Sequence, residues 1–114
     1  MAITELFSGS ATVSTAEYSL PNVSTTLATV TTDGIFQVFL DASNMAAGDQ
    51  YLLQIYEKVI SGGSKRVVYP ATLNGLQAGA YVAPSLILLH GWDVTLTKLA
   101  GTDRVFSWSI RQIA

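Results

Sequence analysis

From Trp92 to Arg111 the side chains alternate apolar and polar with a period of two, and that pattern constrains the fold more than any other stretch. "WDVTLTK" places Trp92, Val94 and Leu96 on one side. "RVFSWSIR" does the same with Phe106, Trp108 and Ile110. An extended chain sends successive side chains to opposite faces, so each segment reads as a strand with one buried face. The "AGTD" at 100–103 between them supplies a turn. The expected pairing is a hairpin in which Val94 opposes Trp108, Leu96 faces Phe106 and Trp92 faces Ile110. Asp93, Thr95, Ser107 and Ser109 would then lie on the solvent side. A slip of one residue would set Trp92 against Arg111 and bury hydroxyls, so this register is preferred.

The rest of the chain reads the same way. Valine, isoleucine and threonine number 29 of 114 residues, and β-branched side chains fit a pleated sheet better than a helix. Turn signals recur at short intervals: "PN" at 21–22, "DG" at 33–34, "GG" at 62–63 and "NG" at 74–75. The expected fold is all-β, an antiparallel β-sandwich of jelly-roll or immunoglobulin-like topology in one domain spanning residues 1–114. Asp33-Gly34 can take the positive φ angles of a type I′ turn joining a strand at 26–32 to one at 35–41. "QYLLQIYEKV" and "KRVVYPATL" are expected to pair across Ser61–Ser64, with Pro70 marking an edge strand or a bulge. At most one short helical turn is expected, near 42–47, ended by Gly48. Residues 1–8 are expected to form an N-terminal arm.

One stretch imitates an enzyme. "SLILLHGW" at 85–92 looks like the strand and oxyanion turn of an α/β-hydrolase. No serine sits in a Gly-x-Ser-x-Gly elbow, and His90, the single histidine, cannot serve as a base apart from that turn. His90 is therefore read as structural, with its imidazole hydrogen-bonded near the strand end. The acids are scattered singly, and Asp41 and Asp49 lack the spacing of a calcium loop. "SGGSKR" lacks the Walker spacing and a following helix. Cysteine is absent, which removes disulfides and thiolate metal sites. No enzyme activity, cofactor or metal is expected.

Charged residues make up only 12% of the chain, against roughly 25% in an average soluble domain, and the net charge is −2. The 23 serines and threonines carry much of the polarity. Neutral hydroxyls are far less costly to desolvate than charged groups, so such a surface suits burial against other protein. Six basic residues argue against a nucleic-acid partner. No run approaches the ~20 apolar residues of a membrane span, and "MAITELFSG" has no basic start, so neither a membrane partner nor a secretory leader is expected.

"MAITELFSGSATVSTAEYSL", "TDGIFQVFLD…AAGDQY" and "PSLILLHGWDVTLTKLAGTDRVFSWSIRQIA" resemble small structural proteins of tailed bacteriophages and prophages. The resemblance covers most of the chain and brings no catalytic residue with it. It implies a virion protein made in the host cytoplasm, of head decoration (cement) type, bound to the major capsid protein or other virion subunits as a homo-oligomer. A connector, tail or baseplate subunit is the alternative. A module recognising host carbohydrate is a third, with Tyr18, Tyr51, Tyr56, Tyr69 and Tyr81 as a candidate aromatic platform. Candidate interaction residues are Ala2, Ile3, Thr4, Glu5, Leu6 and Phe7 in the arm, and Gly62, Gly63, Ser64 and Lys65 at the hairpin tip.

Overall fold

A computed structural model describes residues 2–113. Among them are nine strands and no helix: β1 (Ile3–Val13), β2 (Tyr18–Ser19), β3 (Gly34–Asp41), β4 (Gln50–Lys58), β5 (Lys65–Asn74), β6 (Tyr81–Val82), β7 (Leu86–Leu88), β8 (Trp92–Ala100) and β9 (Arg104–Ile113). One sheet runs β1-β9-β3-β6, with β7 also paired to β3, and the other runs β2-β8-β4-β5. All pairings are antiparallel.

The pairing is palindromic in sequence. β1 meets β9, β2 meets β8, β3 meets β6 and β7, and β4 meets β5. The chain is thus one long hairpin bent at the β4–β5 loop. Rolling it lays β9 beside β3 and β8 beside β4, which is the strand order of a jelly roll.

The core lies between the sheets. Phe36, Val38 and Leu40 of β3 and Phe106, Trp108 and Ile110 of β9 face Tyr51, Leu53 and Ile55 of β4 and Trp92, Val94 and Leu96 of β8. Aromatic rings lock the layers together. Trp92 packs against Phe36 at 4.6 Å between centroids and meets Phe7 edge-on at 6.0 Å, and Tyr51 meets Phe106 edge-on at 4.6 Å. Edge-to-face rings contribute about 0.5–1.5 kcal/mol each beyond their buried area.

The alternation in 92–111 marks the right side chains for burial, but the expected hairpin does not form. β8 and β9 belong to opposite sheets, so Trp92, Val94 and Leu96 face the β9 layer across the core instead of lying beside Phe106, Trp108 and Ile110. The Gly101 turn carries the chain between layers. Its φ of +94° and the place of a would-be Cβ, 2.2 Å from Asp49 Oδ1, leave room only for glycine.

Two further expectations are corrected. Residues 26–32 form a loop touching β8 through one bridge, Val30 to Trp92, and Gly34 starts β3, so Asp33-Gly34 closes no hairpin. That loop lies over the outward side of β8, where Asp93 and Thr95 are buried rather than exposed. The 42–49 segment makes two successive reverse turns, Met45 N–H to Ala42 and Asp49 N–H to Ala46, within the expected limit of one short helical turn. The β4–β5 hairpin forms as expected; β5 is an edge strand, and an extra residue, Val68, bulges two positions before Pro70.

Candidate interaction surface

The expected N-terminal arm is a strand. Ala2 is exposed ahead of β1, while Ile3, Thr4 and Glu5 pair with Ile113, Gln112 and Arg111 of β9. Leu6 is the extra residue of a bulge between Glu5 and Phe7, and both Leu6 and Phe7 pack on the core. A segment with apolar side chains at inward positions gains more by joining the sheet than by projecting into water. At the hairpin tip Gly62, with φ +80°, and Ser64 are exposed, Gly63 N–H bonds Ile60 C=O, and Lys65 opens β5. The Lys65 ammonium donates to Ala28 C=O, which ties it to the loop over β8. β1 and β5 are the edges of different sheets, so the fold does not unite the two predicted sets.

The strand registers assemble a surface that the candidate residues only touch. On the outward side of the β1-β9-β3 sheet, Ile3 pairs with Ile113, Ile113 with Ile35, and Ile35 with Ile87. Four isoleucines from four strands thus form one row across the sheet. Ile3 and Ile87 are 69% and 78% exposed. The next row holds Glu5, Arg111 and Gln37, and beyond it lie Ser8, Ser109 and Phe39. The Arg111 guanidinium sits 3.8 Å from the Phe39 ring centroid, and its Nε donates to Ser109 Oγ at 3.2 Å. Ser109 Oγ donates to Glu5 at 2.5 Å. A hollow of about 160 Å³ opens there, lined by Ile3, Ile35, Ile113, Phe39 and Arg111 among others. Ile35, Ile87, Ile113, Phe39 and Arg111 were not candidates from sequence. For the four apolar ones the signal is an apolar side chain at an outward position, as with Ile35 beside inward Phe36.

The buried carboxylates each have a structural task. Glu57 accepts from Leu89, His90 and Gly91 N–H at 2.6, 3.2 and 3.2 Å, which holds the bend between β7 and β8. His90 contributes only its backbone N–H to this bend; the expected imidazole hydrogen bond is corrected, because among the described residues the ring has no hydrogen-bond partner. Asp49 accepts from Arg104 Nε at 2.7 Å and from Ala46 and Thr102 N–H. These partners, Arg104 foremost, hold its carboxyl down at about 2. Asp93 accepts from Ser19 Oγ and from Ala28 and Val94 N–H, yet its pKa is raised because burial outweighs those bonds. Asp41 accepts from Ser43 N–H. No group of three or more metal-ligating side chains occurs among the described residues.

The tyrosines do not make an exposed platform. Tyr51 is fully buried and the other four are half-buried. Tyr56 donates to Glu17 at 2.6 Å, and burial with this bond pushes it up to about 12. The Tyr69 and Tyr81 hydroxyls bond each other across the sheets, and burial raises Tyr81 to about 12.

Comparison with known protein families, curated proteins and solved structures finds no match to this chain.

Proposed function

We propose that this chain is a non-enzymatic structural protein of a tailed-phage particle, a head decoration (cement) protein that docks on the major capsid protein. The outward face of the β1-β9-β3 sheet makes the contact. The observation that carries this reading is the isoleucine row, Ile3, Ile113, Ile35 and Ile87, on a face whose charged groups are Glu5 and Arg111 in the next row and Asp41 at the far end beside Ser107. Contiguous exposed apolar surface rimmed by polar groups is the mark of a protein-binding face. The serine rows beyond it, Ser8 with Ser109 and Ser10 with Ser107, can give up water at low cost.

Two further points support the reading. The segments quoted above resemble small tailed-phage structural proteins. Jelly rolls are also a recurrent architecture of viral shells, though a fold alone does not carry a function. Decoration adds buried interface at many symmetry-related positions, so modest individual contacts sum to a strong effect.

Copy number tests the proposal. Quantitative mass spectrometry of purified particles should give a ratio to the major capsid protein near one, or a simple fraction of it. A dozen or so copies would move the protein to the connector, tail or baseplate. Absence from the particle would sink both virion readings.

A further inference from the structure

We infer that β1 is a self-association edge, through which two copies of this chain pair antiparallel about a two-fold axis near Ser10 and join their five-stranded sheets into one. A sheet edge presents unpaired N–H and C=O groups, and natural domains blunt such edges with short strands, charges, prolines or bulges. Three of the four edges in this sandwich are blunted. β2 has two residues. β5 carries Lys65, Arg66, Pro70 and the Val68 bulge. The far edge of the larger sheet is broken into β6 and β7, with Pro84 between them.

β1 is built differently. It is 11 residues long, has Glu5 as its one charged residue and contains no proline. After the bulge at Leu6, Phe7–Val13 pairs with β9 without interruption. That run, "FSGSATV", is neutral, and its outer edge pairs with no strand among the described residues. Its middle residue is Ser10.

A second copy fits this edge for two reasons. Antiparallel pairing about a two-fold axis satisfies the same groups on both chains, which is the isologous contact commonest in homo-oligomers. Centring it on Ser10 sets exposed Ser8 opposite Thr12 of the other copy and brings no like charges together. The two Glu5 residues would stand roughly 30 Å apart at the ordinary rise of a strand. Ser107 Oγ already donates to Ser10 Oγ at 3.2 Å, so the axis would extend an existing hydroxyl ladder from both sides. The inference does not rest on the virion reading and is tested on the free protein, whereas particle copy number tests the other.

Sedimentation velocity of the full chain, from micromolar to near-millimolar concentration, should show a reversible dimer. Ser10→Lys and Ser10→Asp each place like charges across the axis and should weaken it at least about tenfold. An equimolar mixture of the two variants should restore dimerisation by pairing opposite charges. In the wild type, amide exchange within residues 7–13 should slow as concentration rises, a readout that needs no variant. A monomer at every concentration, a dimer that neither variant weakens, or exchange in 7–13 independent of concentration would overturn the inference.

Discussion

Asp49 and Arg104 meet in an ion pair of 2.7 Å that ties the turn before β4 to the first residue of β9, across the two layers of the sandwich. The aspartate side chain is almost wholly shielded, and Ala46 and Thr102 N–H complete its bonding. Its carboxyl is held at about 2, below the ordinary 3.8. A group depressed on folding adds stability that is full above its unfolded value and is lost as pH falls towards its folded value. Asp49→Asn should therefore melt at a lower temperature than wild type at pH 7, and the gap should narrow between about pH 4 and pH 2. Thermal unfolding of both proteins across that range checks it; a gap independent of pH would contradict the assignment.

Asp93 has the opposite sign. Its pKa is raised, so protonation favours the fold and stability falls as pH rises through the unfolded and then the folded value. Asp93→Asn would turn an amide N–H₂ towards a backbone N–H that now has an acceptor. A loss of about 1–3 kcal/mol is expected at pH 7, and it should widen in acid, where Asp49→Asn converges with wild type. Urea titrations at two pH values separate the trends.

Glu57→Gln should cost about 1–3 kcal/mol, because one of the two oxygens facing Leu89, His90 and Gly91 N–H becomes a donor. The damage should be local first. Amide exchange at 89–91 is expected to speed up more than at Leu53 or Ile55 in the core of β4; uniform acceleration would mean that the carboxylate does not hold this bend.

Ile87→Lys should leave stability within about 0.5 kcal/mol of wild type, since the side chain is 78% exposed. Occupancy on particles should nevertheless fall, because the substitution puts an ammonium into the isoleucine row. Unchanged occupancy with unchanged stability would remove this face from the proposed contact.

The candidate surface was only partly legible in the amino-acid order. Ile3 and Glu5 were among the expected residues, though as part of a projecting arm. Ile35, Ile87 and Ile113 lie far apart in the chain and become neighbours solely through strand register. Lys65 is chemically conspicuous, yet the fold anchors it to Ala28.

What the sequence determined by itself is which way side chains face. The period of two in 92–96 and 106–110 marks six residues that the structure buries between the sheets, and the segments flanking Ser61–Ser64 pair as their lengths and glycines imply. Only the tertiary structure decided which strand lies beside which. A hairpin within one sheet and a crossing between two sheets bury the same apolar faces, so the alternation in β8 and β9 is compatible with either. The loop over β8 settles a second question of this kind. By alternation Asp93 and Thr95 point outward, and they are buried because residues distant in the chain fold over them and supply the hydrogen bonds. Alternation is a local property of the backbone, whereas partner choice depends on the whole chain burying its apolar faces at once.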